Sequence, residues 1–406
     1  MPTQRATAVL NGHSSSVKQV CFQPGSSNVI ATSSRDGSVQ IWDLRCKGFD
    51  TPVRAIKIPL EPSATDAATP QTNNKISWGR AVNAIFEAHH GHNPFSFPAT
   101  GLSVPPSLDL PLKTESPPRR GDVSVTAVQF LHPGREHLLL TASEADAGVK
   151  LWDLRTTHNH RRSRATPLSS TRPTGAHMKH RHFGLTSLSL SGDGARLYTV
   201  CRDNTVYAFS TSHLILGHAP ALSKNKSKAV RSGGQEKEGL GPIYGFRHPE
   251  FHASSFYVKS TLRPAKDDKS ELIAIGSSDG CAVVFPTDER YMQNSNDKRM
   301  RPSDPFGWNR PPRRRGESGA RFTIRLEDSI PIYQQGTALI RGHSREVTGM
   351  DWTSNGELVT VGDDFTARCW REGPQARDLR VGGEKEGRRW NCGWAEAEGD
   401  WDESDG

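Results

Sequence analysis

The sequence has 406 residues, of which 34% are hydrophobic and 24% charged, and its formal net charge is +8. No stretch approaches the roughly 18 apolar residues of a membrane-spanning helix, and no apolar segment follows the N-terminal residues as in a secretory signal, so we expect neither. The six cysteines form no Cys-x-x-Cys pair, which favours reduced intracellular thiols.

One pattern recurs five times: an alternating apolar run, a stretch of small residues, an Asp, and an aromatic residue six positions after the Asp. The copies are IATSSRDGSVQIW (Asp36 to Trp42), LLTASEADAGVKLW (Asp146 to Trp152), LYTVCRDNTVYAF (Asp203 to Phe209), IAIGSSDGCAVVF (Asp279 to Phe285) and LVTVGDDFTARCW (Asp364 to Trp370). Alternation predicts β-strands, and the Asp predicts a tight turn between two of them. The repeat therefore predicts an all-β fold made of similar sheets.

A histidine precedes several copies of the pattern. Gly12-His13 and Gly342-His343 come before the first and last copies, and Ala88-His89 and Arg247-His248 are weaker equivalents. We expect a buried imidazole to bond the turn Asp, and the indole N–H to join through a Ser or Thr. The residues predicted for this structural network are His13, Asp36, Trp42, His89, Asp146, Trp152, Asp203, Asp279, His343, Asp364 and Trp370. Phe209 and Phe285 lack the donor, so their networks should be weaker.

These features resemble the WD40 family, in which four-stranded blades form a β-propeller. The predicted blades are 8–45, 86–155 (86–91 joined to 123–155), 182–211, 245–288 and 337–371, within a propeller at 8–371. About seven blades are usual in this family, so two alternatives remain. Either five blades close, with residues 6–10 supplying the outer strand of the last, or the chain lacks two N-terminal blades. We favour the second.

Long polar segments separate the predicted blades. They are 46–85, 92–122, 156–181, 212–244 and 289–336, followed by a tail at 372–406. Their composition predicts largely disordered inserts and a flexible tail. Segment 289–321 is strongly basic, which is typical of a solvated loop but also fits a nuclear-import or nucleic-acid-binding patch.

Motifs that carry catalytic chemistry are missing from the sequence. There is no P-loop, no Gly-x-Gly-x-x-Gly after a strand, no His-Glu-x-x-His and no Gly-x-Ser-x-Gly. Five histidines between 158 and 182 lie among arginines that would repel a cation, which favours a basic loop over a metal site. We therefore predict no catalytic residue, no metal, no cofactor and no enzymatic activity of this chain alone.

Two predicted blades end in the same tetrapeptide, Trp-Asp-Leu-Arg, at residues 42–45 and 152–155. An Arg two residues after the Asp should lie past the strand on one rim, exposed and able to bond a partner's carboxylate or carbonyls. Ordinary surface ion pairing is the alternative. Because the motif occurs in two successive repeats, we predict a docking site for another protein.

Four longer blocks resemble the denticleless family: residues 12–46, 81–91, 254–264 with 273–280, and 341–352. That resemblance implies a nuclear, non-catalytic substrate receptor of the cullin-4 RING ubiquitin ligase. It implies docking on the ligase's damaged-DNA-binding adaptor through Asp43, Arg45, Asp153 and Arg155. It also implies presentation of replication-licensing and cell-cycle proteins bound to the sliding clamp PCNA. The chain has no clamp-binding motif of its own, so we do not expect autonomous clamp binding.

Other functions remain open from the sequence. A general nuclear WD40 scaffold that binds peptides, histones or RNA-assembly factors is one, and direct nucleic-acid binding through 289–321 is another. Arg35, Arg202 and Lys259 are weak candidates for contacting a target. Arg35 and Arg202 directly precede a turn Asp, and pairing with that Asp is the competing explanation. We expect no membrane partner.

Overall fold

A computed structural model describes the backbone of residues 8–46, 77–89, 123–157, 165–172, 183–216, 237–238, 240–266, 269–289, 330–339, 342–372 and 391–394. These residues fall in two compact units, which are described separately. The first unit is Met1–Ser170 with Pro220–Glu238, and the second is Thr171–Ala219 with Gly239–Gly406.

The first unit contains two four-stranded antiparallel blades. The first blade is β2 (Val17–Phe22), β3 (Val29–Ser34), β4 (Val39–Asp43) and β6 (Ala81–Ile85), paired in that order, and beside it β1 (Ala8–Leu10) pairs in parallel with β5 (Ser77–Gly79). The second blade is β7 (Val125–Phe130), β8 (Leu138–Ser143), β9 (Val149–Asp153) and β10 (Ser169–Ser170), and β14 (Lys237–Glu238) adds in parallel to β10.

The second unit contains three further blades and one short helix. The third blade is β11 (Leu185–Leu190), β12 (Arg196–Cys201), β13 (Thr205–Ser210) and β15 (Tyr244–Phe246), with β19 (Ile332–Tyr333) parallel to β15 and helix α1 (Thr211–Leu216) after β13. The fourth is β16 (Ser260–Arg263), β17 (Leu272–Ile275), β18 (Val283–Pro286) and β20 (Thr337–Ala338). The fifth is β21 (Val347–Trp352), β22 (Leu358–Gly362) and β23 (Ala367–Glu372), with β24 (Asn391–Trp394) parallel to β23.

The first strand of a blade begins with the same irregularity in four blades. The pairing with the second strand shifts by one residue directly after Val17, Val125, Leu185 and Val347. Such a bulge turns the residues that follow it, so that the next apolar positions share a face. In the first unit, this places Val128 and Phe130 against Ala31, Val39 and Ile41 of the neighbouring blade.

Apolar faces between neighbouring blades form the cores of both units. In the first unit, Phe130, Leu139 and Trp152 are fully buried in the cluster shared by the two blades. The second unit has one cluster around Phe246 and Phe285 and another around Leu358 and Trp370. Burying a side chain of this size contributes about 1.5–3 kcal/mol, so the stacked blades stabilise one another.

Strands lie in four of the predicted inserts and in the predicted tail, among them β14 in 212–244, β19 in 289–336 and β24 in 372–406. Strand β6 lies inside the predicted insert 46–85, and β10 lies inside 156–181. Both are the outer strands of their blades, and they carry neither the Asp nor the aromatic residue that marks the inner strands. A closed five-blade ring would also need residues 6–10 to pair with the last blade, whereas β1 pairs with β5. The described residues include no helix long and apolar enough to cross a membrane.

Candidate functional site

Both Trp-Asp-Leu-Arg segments fold into the same turn after the third strand of their blade. In the first, the backbone N–H of Arg45 donates to Asp43 Oδ1 at 3.0 Å, its Nε donates to Oδ1 at 2.9 Å, and its Nη2 donates to Oδ2 at 2.7 Å. In the second, the same three Arg155 groups donate to Asp153 at 3.0, 3.0 and 2.8 Å. Both arginines thus form the surface ion pair that was the alternative to docking. We call these segments, 43–46 and 153–157, the two docking turns, after the role that the sequence predicts for them.

The guanidinium groups of the docking turns face solvent while their carboxylates lie below them. The Arg45 and Arg155 side chains are 64% and 67% exposed, against 19% and 14% for Asp43 and Asp153. Hydrogen bonds from Arg45 lower the pKa of Asp43 to about 2, and those from Arg155 lower the pKa of Asp153. Both carboxylates are therefore ionised at neutral pH. Such an exposed pair adds little stability, but it fixes the direction of a flexible side chain.

The docking turns occupy equivalent places in two neighbouring blades. The amide of Leu44 donates to Asn28 O at 2.8 Å, and the amide of Leu154 donates to His137 O at 2.9 Å. In each case the acceptor lies in the turn between the first two strands of the same blade. Neither Arg45 Nη1 nor Arg155 Nη1 has a hydrogen-bond partner among the described residues, so donors remain for another molecule.

The leucines of the two docking turns differ although their sequences agree. Leu44 is 44% exposed, whereas Leu154 packs partly against the core cluster of the first unit. The first turn therefore offers an apolar contact beside its arginine. Sequence alone could not separate the two leucines, because the difference comes from what packs around each turn.

The predicted His–Asp network is complete in the first blade. His13 Nδ1 lies 3.2 Å from Asp36 Oδ2, and its Nε2 lies 2.7 Å from Thr32 Oγ1. Trp42 Nε1 donates to the same Thr32 oxygen at 2.9 Å. Burial would raise the pKa of Asp36, but hydrogen bonds from His13, Ser38 and the Ser14 amide outweigh it and hold that pKa well below its usual range.

The fifth blade contains the same network. His343 contacts Asp364 Oδ1 at 3.0 Å and Thr360 Oγ1 at 2.8 Å, and Trp370 Nε1 donates to Thr360 Oγ1 at 2.9 Å. Burial again opposes ionisation of Asp364, and hydrogen bonds led by the Ser344 amide keep its pKa low. Both networks tie the loop before a blade to its inner strands.

The second blade departs from the predicted network. His89 Nε2 contacts Thr141 Oγ1 at 2.8 Å and Trp152 Nε1 donates to that oxygen at 2.9 Å, but Asp146 instead accepts from Ser143 and from the Gly148 amide. Asp146 lies five positions after Thr141, whereas Asp36 lies four positions after Thr32, so the carboxylate is displaced. Burial lowers the pKa of His89 to about 3.

The third and fourth blades use other partners for their turn aspartates. The Tyr207 hydroxyl donates to Asp203 Oδ2 at 2.5 Å, and Arg247 Nε donates to Thr205 Oγ1 at 2.8 Å, so Arg247 rather than His248 bonds this turn. In the fourth blade, His252 Nδ1 lies 2.7 Å from Asp279 Oδ2, with both side chains about half exposed. These networks have no indole donor.

The three candidates for target contact have different surroundings. Arg202 Nη2 donates to Ser254 O at 2.5 Å, and its guanidinium lies 4.4 Å from the Phe256 ring centre. Lys259 Nζ donates to Thr186 O at 2.7 Å. Arg35 is exposed.

An aromatic residue that the sequence did not single out is the most exposed large apolar side chain described. Phe365 is 97% exposed and has φ +60°, at the turn position that Gly37, Gly280 and Asn204 occupy in other blades. A non-glycine residue at positive φ stores backbone strain, so the exposed ring is a candidate for a functional contact. Its departure from the Gly or Asn of the other copies is the signal that could have identified it.

Several predicted features lie outside the described residues. They are the basic stretch 290–321, the histidines between 158 and 182, and the tail apart from residues 372 and 391–394. Within the described ranges, no group of three or more His, Cys, Asp or Glu side chains is arranged to hold a metal ion.

The repeated blades and their His–Asp networks are similar to those of WD40 repeat proteins. The family described as "WD domain, G-beta repeat" matches residues 4–43 and 334–371. These two regions carry the complete networks centred on His13 and His343.

Within this class, the chain is similar to the denticleless proteins, as the sequence blocks predicted. It is 25% identical over 360 residues to "Cell division cycle protein cdt2" of Schizosaccharomyces pombe, covering 88% of this chain and 48% of the relative. It is 26% identical to "Denticleless protein homolog" of Danio rerio over 363 residues, with 89% and 38% covered, and 26% identical to that of Homo sapiens over 387 residues, with 95% and 37% covered. The chain thus spans half or less of the length of these relatives.

Proposed function

We propose that the chain is a non-catalytic substrate-recognition subunit of a cullin-4 RING ubiquitin ligase. It docks on the damaged-DNA-binding adaptor of the ligase through the two docking turns. It presents replication-licensing and cell-cycle proteins associated with PCNA in the nucleus. The similarity to denticleless protein homologues and to a relative named as a cell division cycle protein supports this proposal.

The pair of docking turns is the observation that carries the proposal. Each holds an ionised Asp under a guanidinium of fixed direction, with its remaining donors facing outward. A guanidinium held in this way can bond carboxylates or carbonyl oxygens of a partner. Two such groups on one unit make the second contact effectively intramolecular once the first has formed, which strengthens binding without new contacts.

The proposed activity is positioning rather than chemistry. A receptor bound to the ligase raises the local concentration of target lysines near the activated ubiquitin, which is the effect of proximity on a bimolecular reaction. Such a role needs a rim for the ligase and a separate surface for the target. For the target surface, Phe365 and the 59% exposed Tyr257 are better candidates than Arg202 and Lys259, whose head groups already bond the chain.

Charge reversal of the docking arginines tests the proposal. The full chain carrying Arg45→Glu and Arg155→Glu should fail to co-purify the adaptor while its thermal unfolding stays unchanged. Arg35→Glu with Arg345→Glu is the matched control, because it reverses the same charge at two exposed positions outside the docking turns. Retained adaptor binding by the soluble docking variant would remove the proposed function.

A general nuclear scaffold is the alternative, and the exposed Phe365 would serve it as a contact for a bound peptide. Proximity labelling with the full chain separates the two. Cullin subunits among the labelled proteins support the ligase role, and histones or RNA-assembly factors without cullin subunits support the scaffold.

A further inference from the structure

The side chain of Asn83 connects the first blade to the second docking turn. Asn83 lies in β6, opposite Ile41 of β4, which is the strand that leads into the first docking turn. Its Nδ2 donates to Leu154 O at 3.0 Å and to Thr157 Oγ1 at 2.7 Å. Leu154 directly precedes Arg155, so one amide bridges the strand beside one docking turn to the backbone of the other.

The second docking turn is held from both sides at Leu154. Its carbonyl accepts from Asn83 and from Thr157 Oγ1 at 3.1 Å, and its amide donates to His137 O at 2.9 Å. The loop containing His137 is itself tied to the first blade, because Gln23 Nε2 donates to Glu136 O at 3.1 Å. Every one of these bonds lies within the first unit.

The bridging groups are buried, which makes their bonds costly to lose. Asn83 is 9% exposed and Thr157 is 8% exposed. A buried polar group that loses its partner keeps its desolvation cost, so the arrangement in which all of them are paired is strongly preferred. The bridge therefore restricts how far Arg45 and Arg155 can move relative to each other.

We infer that Asn83, with Thr157, is a positioning residue that sets the spacing of the two docking arginines for their partner. A partner that bonds both arginines gains affinity from the second contact only if the distance between its two acceptors matches the distance between the arginines. The partner should therefore present two acceptor sites at one fixed separation. This inference rests on the proposed function, since it concerns the same docking site.

The test measures adaptor affinity for the full chain in several backgrounds, using the purified adaptor. Asn83→Ala should weaken binding about tenfold when both arginines are present, a size usual for residues coupled through shared contacts. It should change affinity by less than about twofold in the Arg155→Ala or Arg45→Ala background, because spacing does not matter to a single contact. Equal weakening in every background, or none in any, would overturn the inference.

Further variants keep the test decisive if Asn83→Ala folds poorly. Thr157→Val removes the hydroxyl in the bridge and should show the same dependence on background, whereas Thr157→Ser keeps the hydroxyl and should bind like the original chain. Ser189→Ala is the control, because it breaks a 2.8 Å contact with Ser260 between two other neighbouring blades. It should leave adaptor affinity unchanged.

The double variant Arg45→Ala with Arg155→Ala separates failure of the proposed function from failure of the positioning role. If the double variant binds the adaptor normally, the proposed function fails. If the double variant abolishes binding while Asn83→Ala does not weaken it, only the positioning role fails.

Discussion

Strands β2 and β7 carry the same apolar residues in the same register, yet one set is exposed and the other is buried. The residues are Val17, Val20 and Phe22 in β2 and Val125, Val128 and Phe130 in β7, and in each strand the bulge directly follows the first of the three. The first three are 49%, 54% and 56% exposed, and the last three are 0% exposed. No described part of the chain covers the β2 set as the first blade covers the β7 set.

The difference shows what a strand pattern can and cannot predict. Alternation correctly indicates which face of a strand is built for burial. Whether a neighbour lies against that face depends on residues far away in the chain, such as Ala31 and Ile41 for β7. The first blade, whose β2 face is exposed, has the complete His13 network. The second blade, whose β7 face is buried, has the incomplete network. Whether a network is complete therefore does not depend on whether a neighbour covers the first strand of the blade.

The largest expected difference in stability comes from placing a charge on the apolar face of β7 or on that of β2. Val128→Asp puts a carboxylate in a fully buried apolar site and should cost about 3–5 kcal/mol or prevent folding. Val20→Asp adds a solvated charge on the exposed face, so it should leave thermal unfolding nearly unchanged and raise solubility. Far-UV circular dichroism during heating and solubility of the two variants check this. Equal destabilisation by both would break the comparison.

Truncating the aromatic residue on each face gives a smaller contrast. Phe130→Ala should lower the free energy of unfolding by about 3–5 kcal/mol, because it leaves a cavity in the core shared by the two blades. Phe22→Ala should cost less than about 1 kcal/mol, because the ring already contacts water. Denaturant titration of both variants measures the difference. A loss for Phe22→Ala as large as for Phe130→Ala would show that the β2 face is covered in solution.

The buried histidine of the covered blade gives the smallest expected effect. Because the pKa of His89 falls from 6.5 to about 3 on burial, the folded protein keeps it neutral while the unfolded chain binds a proton below pH 6.5. The contribution of neutral His89 to the free energy of unfolding is fully present above pH 6.5 and is lost as the pH falls towards 3. Between pH 7 and pH 5 the loss is about 2 kcal/mol. His89→Gln should flatten the dependence of unfolding free energy on pH in that range; an unaltered slope would contradict the assignment.

Much of the fold could be predicted from local patterns. The Asp-to-aromatic spacing identified the inner strands of all five blades, and the Thr32 and Thr360 networks followed from chemistry that the repeat contains. The outer strands β6 and β10 were missed because they carry no mark of the repeat, and β10 is only two residues long. The displaced Asp146 could have been anticipated from the extra residue between it and Thr141.

The docking turns were partly predictable in the same way. The repeated Trp-Asp-Leu-Arg segment indicated an arginine beyond the strand, and the structure adds that each arginine is fixed by its own Asp. The contact of Asn83 with Leu154 could not be predicted, because the two residues are 71 positions apart and no periodic pattern joins them. Such contacts depend on how one blade packs against the next.

Hydrogen–deuterium exchange of the full chain with and without the purified adaptor tests the central claim most directly. Docking through the two turns predicts slower exchange of the amides in 43–46 and 153–157 when the adaptor is bound, with the turn at 363–366 unchanged. Slower exchange elsewhere in the chain, with both docking turns exchanging as in the free protein, would contradict it.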